Sequence, residues 1–198
     1  MKVLGIYGSP RKCGNSDILL DEALKGAESA GADVSTVYCS DVTVSGCLEC
    51  GGCDETGECV VDDDMQSIYP KLVEADVIFL STPIFFYGPT AQAKAVIDRS
   101  QALWCRRMLE KKPEDHKKYA SGRGYLIAVG ATKGANLFEG IQLVAKYFYD
   151  ALDMSYEGGL FVRSVEKKGD INNFPEYLKQ AFDLGVTAVS SGRRADRD

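Results

Sequence analysis

Apolar, β-branched runs alternate along this chain with stretches in which apolar residues recur every three or four positions. The first run, residues 3–7, predicts a strand. A turn follows, and Ile18, Leu19, Ala23, Leu24 and Ala27 then share one face of a helix predicted over residues 16–30. Gly31 suits the position just past its end, where glycine adopts the left-handed conformation at little cost. Further strands are predicted over 34–38, 76–80, 124–129 and 156–162, the run at 76–80 being apolar enough to lie centrally. Asp62, Asp63 and Asp64 offer N-caps for a helix reaching residue 74, and longer helices are predicted over 90–109, 138–152 and 174–190. Five strands joined by helical crossovers make an α/β, doubly wound parallel sheet covered on both faces. No repeat or linker divides the chain. Residues 1–191 are expected to form one domain, with a frayed polar tail at 192–198.

Composition narrows the function classes. The 198 residues are 45% hydrophobic and carry a formal net charge of −6, which disfavours a general nucleic-acid partner. No apolar run reaches the roughly 18 residues that cross a bilayer, and the start of the chain lacks the h-region of a secretory signal, so no membrane association and a cytoplasmic location are expected. Basic residues gather only at Arg106, Arg107, Lys111, Lys112, Lys117 and Lys118, interleaved with Glu110, Glu114 and Asp115. That stretch reads as a solvated face, and the single histidine, His116, lies within it.

In doubly wound sheets ligands bind beyond the carboxyl ends of the strands, and the unusual loops of this chain fall there. Residues 8–17 combine Gly8, Ser9, Arg11, Gly14, Asn15 and Ser16 just before a helix start. Helix N-terminal amides favour a bound anion, and these side chains add hydrogen bonds, so a monoester phosphate suits the loop. The run is neither Gly-x-Gly-x-x-Gly nor a Walker A sequence. A bare helix cap is the alternative. After the third strand come Pro83, Ile84, Phe85, Phe86, Tyr87 and Gly88, and after the fourth Gly130, Ala131 and Thr132. The first group can wall a planar aromatic ligand and the second lets one approach closely; packing on a helix or a second copy is the competing reading.

Seven cysteines are present, four of them in the compact run Cys47-x2-Cys50-x2-Cys53-x5-Cys59. Three thiols within seven residues fit an iron–sulfur cluster better than the two separated knuckles of structural zinc. Uncommitted thiols, or disulfides formed on oxidation, stay open. Cys39 and Cys105 read as small core residues, and Cys13, inside the phosphate loop, as a packing residue with a weak redox handle as the alternative.

These motifs, together with Asp63-Asp64-Met65, Thr82-Pro83-Ile84, Lys94 and Asp98-Arg99 in the same order, resemble the iron–sulfur flavoproteins, within the NADPH-dependent FMN reductase group. The resemblance covers roughly residues 1–140. It implies a flavodoxin-like sheet of order 2-1-3-4-5 with a cysteine-rich loop, residues 43–61, after strand 2. It implies FMN, with Ser9, Arg11, Asn15 and Ser16 at its phosphate and Pro83 to Gly88, Ala131 and Thr132 at its ring. It further implies a [4Fe–4S] cluster on Cys47, Cys50, Cys53 and Cys59, and a homodimer or homotetramer. The function expected is electron transfer from a ferredoxin-like donor through cluster and FMN to an acceptor, with Arg106 to Lys118 as a candidate docking stretch. A cluster-free NAD(P)H-dependent FMN, quinone or azo reductase and a redox-sensing or electron-carrier module are the alternatives.

Overall fold

The computed structural model describes residues 1–191; the tail expected to fray lies outside the described residues. Its strands are β1 (Lys2–Tyr7), β2 (Asp33–Tyr38), β3 (Val77–Pro83), β4 (Gly122–Gly130) and β5 (Met154–Arg163). All neighbours pair in parallel, in the order β2-β1-β3-β4-β5. The helices are α1 (Asn15–Ser29), α2 (Met65–Glu74), α3 (Ala91–Arg99), α4 (Gln101–Glu110), α5 (Glu139–Ala151) and α6 (Pro175–Ser190).

Side-chain alternation along each strand sorts the core into two layers. Leu4, Ile6, Ile78, Leu80, Leu126 and Ala128 face α2 to α5. Val3, Tyr7, Val77, Phe79, Ile127 and Val129 face α1 and α6. On the second face α1 and α6 approach so closely that a Cβ on Gly185 would meet the Ala23 carbonyl oxygen at 1.8 Å, and one on Gly26 the Phe182 oxygen at 2.1 Å. On the first, the Tyr149 ring occupies the space above Gly124, where a Cβ would lie 2.1 Å from it. Its buried hydroxyl donates to the Tyr125 carbonyl at 2.6 Å and accepts the Leu80 amide at 3.2 Å, beside the register shift of β4 against β5.

The helix predicted over 90–109 is two helices. The chain bends at Ser100, whose hydroxyl donates back to the Val96 carbonyl at 3.1 Å, a side-chain bond that competes with the helical ladder. The bend follows Arg99, whose side chain runs inward to the cysteine segment. β3 also extends past its apolar run, because Thr82 and Pro83 continue to pair with Ala128 and Val129.

Candidate functional site

The residues expected to hold a phosphate occupy the turn between β1 and α1, at the carboxyl rim of the sheet. Ser9 is buried and its Oγ accepts the Arg11 amide at 3.1 Å, shaping the turn. Arg11 reaches across to the Glu166 carbonyl. Gly14 is the N-cap of α1 and has no side chain to satisfy the helix's first amides, the kind of amides that favour a bound anion. Asn15 also ties down a neighbouring segment. Its amide donates to the Lys167 carbonyl at 2.8 Å while its oxygen accepts the Gly169 and Ile171 amides, fastening the stretch after β5 beside the turn. Ser16 is buried next to Asp17. Burial pushes the Asp17 carboxyl up to about 6, although the Gly14 and Cys13 amides pull the other way.

The aromatic loop stands beside this turn. Gly8 donates to the Ser81 carbonyl at 2.7 Å and Thr90 Oγ1 to the Gly8 carbonyl, while Thr90 also caps α3 by accepting the Ala93 amide. Phe85 and Gly88 exchange both backbone hydrogen bonds, at 3.0 and 2.9 Å. Between them Phe86 and Tyr87 have φ of 49° and 64°, a two-residue turn of the kind that Asn-Gly adopts without strain. Two bulky residues in the left-handed region mark stored strain at a loop tip. Phe85, Phe86 and Tyr87 are exposed, so they do not serve the core of this chain. Gly140 admits the loop, because a Cβ there would meet the Tyr87 oxygen at 2.6 Å. Ala131 and Thr132 are exposed on the neighbouring loop, which Arg163 holds through the Gly134 and Ala135 carbonyls.

The cysteine segment stands after β2. All seven cysteines are free thiols, and Cys47, Cys50, Cys53 and Cys59 line one cavity of about 510 Å³ with Asp98, Arg99 and Gln101. Arg99 is the clasp. Almost wholly buried, it donates to Asp63 at 2.6 Å, to the Ser45 hydroxyl at 3.2 Å and to the Val61 carbonyl at 3.2 Å, joining the two ends of the segment. Asp63 also accepts the Ser45 and Met65 amides. Burial opposes its ionisation, yet the Arg99 guanidinium and those two amides bring the carboxyl down to about 2. Burial likewise raises the Cys59 thiol, but the Val61 amide, the Tyr69 hydroxyl and Arg99 together bring it below its ordinary value. The guanidinium Nε of Arg99 is buried without a partner. Four thiols around one cavity, with a buried cation behind them, suit a group that demands several thiolates.

Cys53 is turned differently. Its Sγ lies 3.7 Å from that of Cys105 on α4, and burial together with this second thiol pushes it up to about 11. Cys39 and Cys105 are buried as the sequence indicates, whereas Cys13 is exposed, with φ of 55°, and packs against no core. Most of the basic stretch is paired with acidic neighbours. Lys111 pairs with Asp153, Lys117 with Asp150 and Lys118 with Asp115, while Arg107 is buried between Asp150 and Asp153. Sequence reasoning placed neither the Arg99–Asp63 clasp nor the approach of Cys105 to Cys53. Asp63 stood out only as a helix cap and as part of the resemblance, and Arg99 only as part of the resemblance.

Comparison with known proteins bears on the family and the fold. The family model for NADPH-dependent FMN reductases matches residues 1–150. An iron–sulfur flavoprotein of Methanocaldococcus jannaschii is 35% identical over 193 residues, 93% of this chain and 94% of that one. Among solved structures, an NAD(P)H:quinone oxidoreductase from Methanothermobacter marburgensis superposes with a TM-score of 0.67 at 13% identity, covering 99% of each chain. A flavodoxin from the domain Archaea superposes with a TM-score of 0.57 at 13% identity, over 96% of this chain and 98% of that one.

Proposed function

Because this chain belongs to the iron–sulfur flavoprotein family, within the flavodoxin-like NADPH-dependent FMN reductase group, we propose that it is an electron-transfer flavoprotein holding FMN and a [4Fe–4S] cluster. It would stand between a ferredoxin-like donor and a downstream acceptor. The observation that carries this reading is the convergence of Cys47, Cys50, Cys53 and Cys59 on one cavity, clasped by Arg99 and Asp63. Bound together, the two groups supply one-electron chemistry at iron and one- or two-electron chemistry at a flavin.

The chain's own residues then have separate roles. The open amides at the start of α1, with Ser9, Arg11 and Ser16, bind the FMN phosphate, and Asn15 holds the neighbouring segment in place. Pro83 to Gly88 wall the ring on one side, Ala131 and Thr132 let it sit close on the other, and the apolar loop excludes water from it. Cys47, Cys50, Cys53 and Cys59 ligate the cluster, and Arg99 lends positive charge behind their thiolates. Assembly as a homodimer or homotetramer belongs to the same proposal. The exposed Trp104, Leu143 and Tyr147, around a cavity of about 640 Å³ between α4 and α5, give it an apolar surface.

Iron, acid-labile sulfide and released FMN per chain, measured on anaerobically purified protein, test the reading. About four irons, four sulfides and one FMN are expected. FMN without iron or sulfide, even after reconstitution, overturns the cluster. The second reading, favoured by the description of the matched family, then leads: an NAD(P)H-dependent FMN, quinone or azo reductase, read by anaerobic bleaching of the flavin with NADPH.

A further inference from the structure

Cys105 lies outside the four-cysteine set, yet it is not an isolated buried thiol. It lies on α4, and three polar side chains converge on its sulfur. Cys53 Sγ is 3.7 Å away, Asp54 Oδ1 is 3.7 Å away, and Gln101 Nε2 approaches to 3.6 Å. One ligand atom from each of Cys53, Asp54 and Cys105 falls within 4.8 Å of the others. A tetrahedral cation with sulfur at about 2.3 Å and oxygen at about 2.1 Å sets its ligands about 3.8 Å apart for two sulfurs and about 3.6 Å for sulfur and oxygen. The two closest edges of the triad match both values. The approach of α4 to the loop is itself tight, because a Cβ on Gly57 would meet Arg106 Cβ at 2.6 Å.

We propose that Cys53, Asp54 and Cys105 form a mononuclear site for a thiophilic divalent cation, zinc by ligand type, in the chain that carries no cluster. Two thiolates and one carboxylate exceed the charge of a divalent cation by one and leave the fourth position open to a neutral ligand such as water, since Cys53 is only partly covered and Asp54 is exposed. Gln101 donates to the Cys105 sulfur from outside the coordination sphere and fixes its direction. Cys53 is shared with the set assigned to the cluster, so the two loading states exclude each other. Only this exclusion rests on the cluster reading; the mononuclear site itself does not.

The test is titration of the reduced, cluster-free full-length chain with Co²⁺ as a spectroscopic probe and with Zn²⁺ in competition. One equivalent is expected to bind with thiolate-to-cobalt charge-transfer absorption. C105S and C53S are each expected to weaken binding at least tenfold, and C47S/C50S to leave it unchanged. D54N is the variant that cannot be confused with misfolding, because its side chain is exposed, and it too is expected to lower the affinity. Zinc-loaded wild type is expected to incorporate less iron and sulfide on reconstitution than zinc-treated C105S. Equal binding by C105S with loss in C47S/C50S overturns the proposal and gives the ion to the four-cysteine set; no cobalt binding in wild type overturns it outright. Iron and sulfide counts on the anaerobic protein report the cluster separately, so either reading can fail alone.

Discussion

Two carboxyls beside the candidate sites are displaced in opposite directions, and each has its own consequence for pH. Asp63 is ionised against Arg99 with its carboxyl held at about 2. Its folded pKa lies below the unfolded one, so its contribution is present above about pH 4 and is lost as pH falls through 2. Asp63→Asn is expected to lower unfolding stability by about 2 kcal/mol at pH 7 and by little near pH 2, read by urea unfolding at both. A cost that does not shrink in acid would show that the carboxylate's charge is not what the clasp uses. Asp17 is the reverse case, with burial raising it to about 6. Its stabilising contribution is fully present below about pH 4 and is lost as pH rises through 6, where the charge forms at the mouth of the phosphate turn. Asp17→Asn removes that charge. FMN affinity of the variant relative to wild type, by fluorescence titration, is expected to rise several-fold between pH 5 and pH 8. The ratio isolates Asp17, because the phosphate's own second ionisation is common to both proteins.

At the scale of elements, glycine decides how close α1 and α6 stand. Alanine improves an exposed helix by about 1 kcal/mol over glycine, yet at Gly185 or Gly26 its Cβ would enter backbone of the partner helix. Gly185→Ala is therefore expected to destabilise the fold by about 2 kcal/mol or more, the sign opposite to propensity, as thermal unfolding will show. The turn at Phe86 and Tyr87 makes the converse case. Replacing them by Asn and Gly relieves two left-handed bulky residues and is expected to add about 1–2 kcal/mol of stability while weakening FMN binding about tenfold. Unchanged FMN binding would remove the turn from the ring site. These elements also show what the sequence can and cannot reveal. Period-two and helical patterns expose which way each residue faces, so the five strands, their helical crossovers and the rim loops are legible. The bend at Ser100 is not, since the apolar pattern continues through it and the Arg99 contact that accompanies it reaches a loop 36 positions earlier in the chain. The pairing of Cys53 with Cys105 is hidden for the same reason: spacing within the segment says nothing about a thiol on a later helix. The left-handed turn contradicts local preference, and such contradictions concentrate at functional sites.

For the whole molecule, the balance of charge bears on how the proposed electron donor would arrive. The formal net charge is −6, and three of the four lysines of the 106–118 stretch, Lys111, Lys117 and Lys118, are matched by Asp153, Asp150 and Asp115. Arg106, whose backbone abuts Gly57 of the cysteine segment, has Glu58 at 3.9 Å. Under the proposed function, an acidic ferredoxin-like donor would meet a like-charged surface whose basic stretch is largely compensated, and at low salt its approach would be opposed over a Debye length of about 30 Å. Raising ionic strength to about 0.15 M shortens that length to about 8 Å and screens the repulsion, while buried pairs such as Arg99–Asp63 are screened far less. The second-order rate of reduction by such a donor, followed by stopped flow under anaerobic conditions, is expected to rise a few-fold from about 10 to about 150 mM salt. Arg106→Glu is expected to slow it further at low salt only. A rate that falls with added salt would mean that a local basic patch outweighs the net charge, and Arg106 beside the cysteine segment would then be the first residue to assign to it.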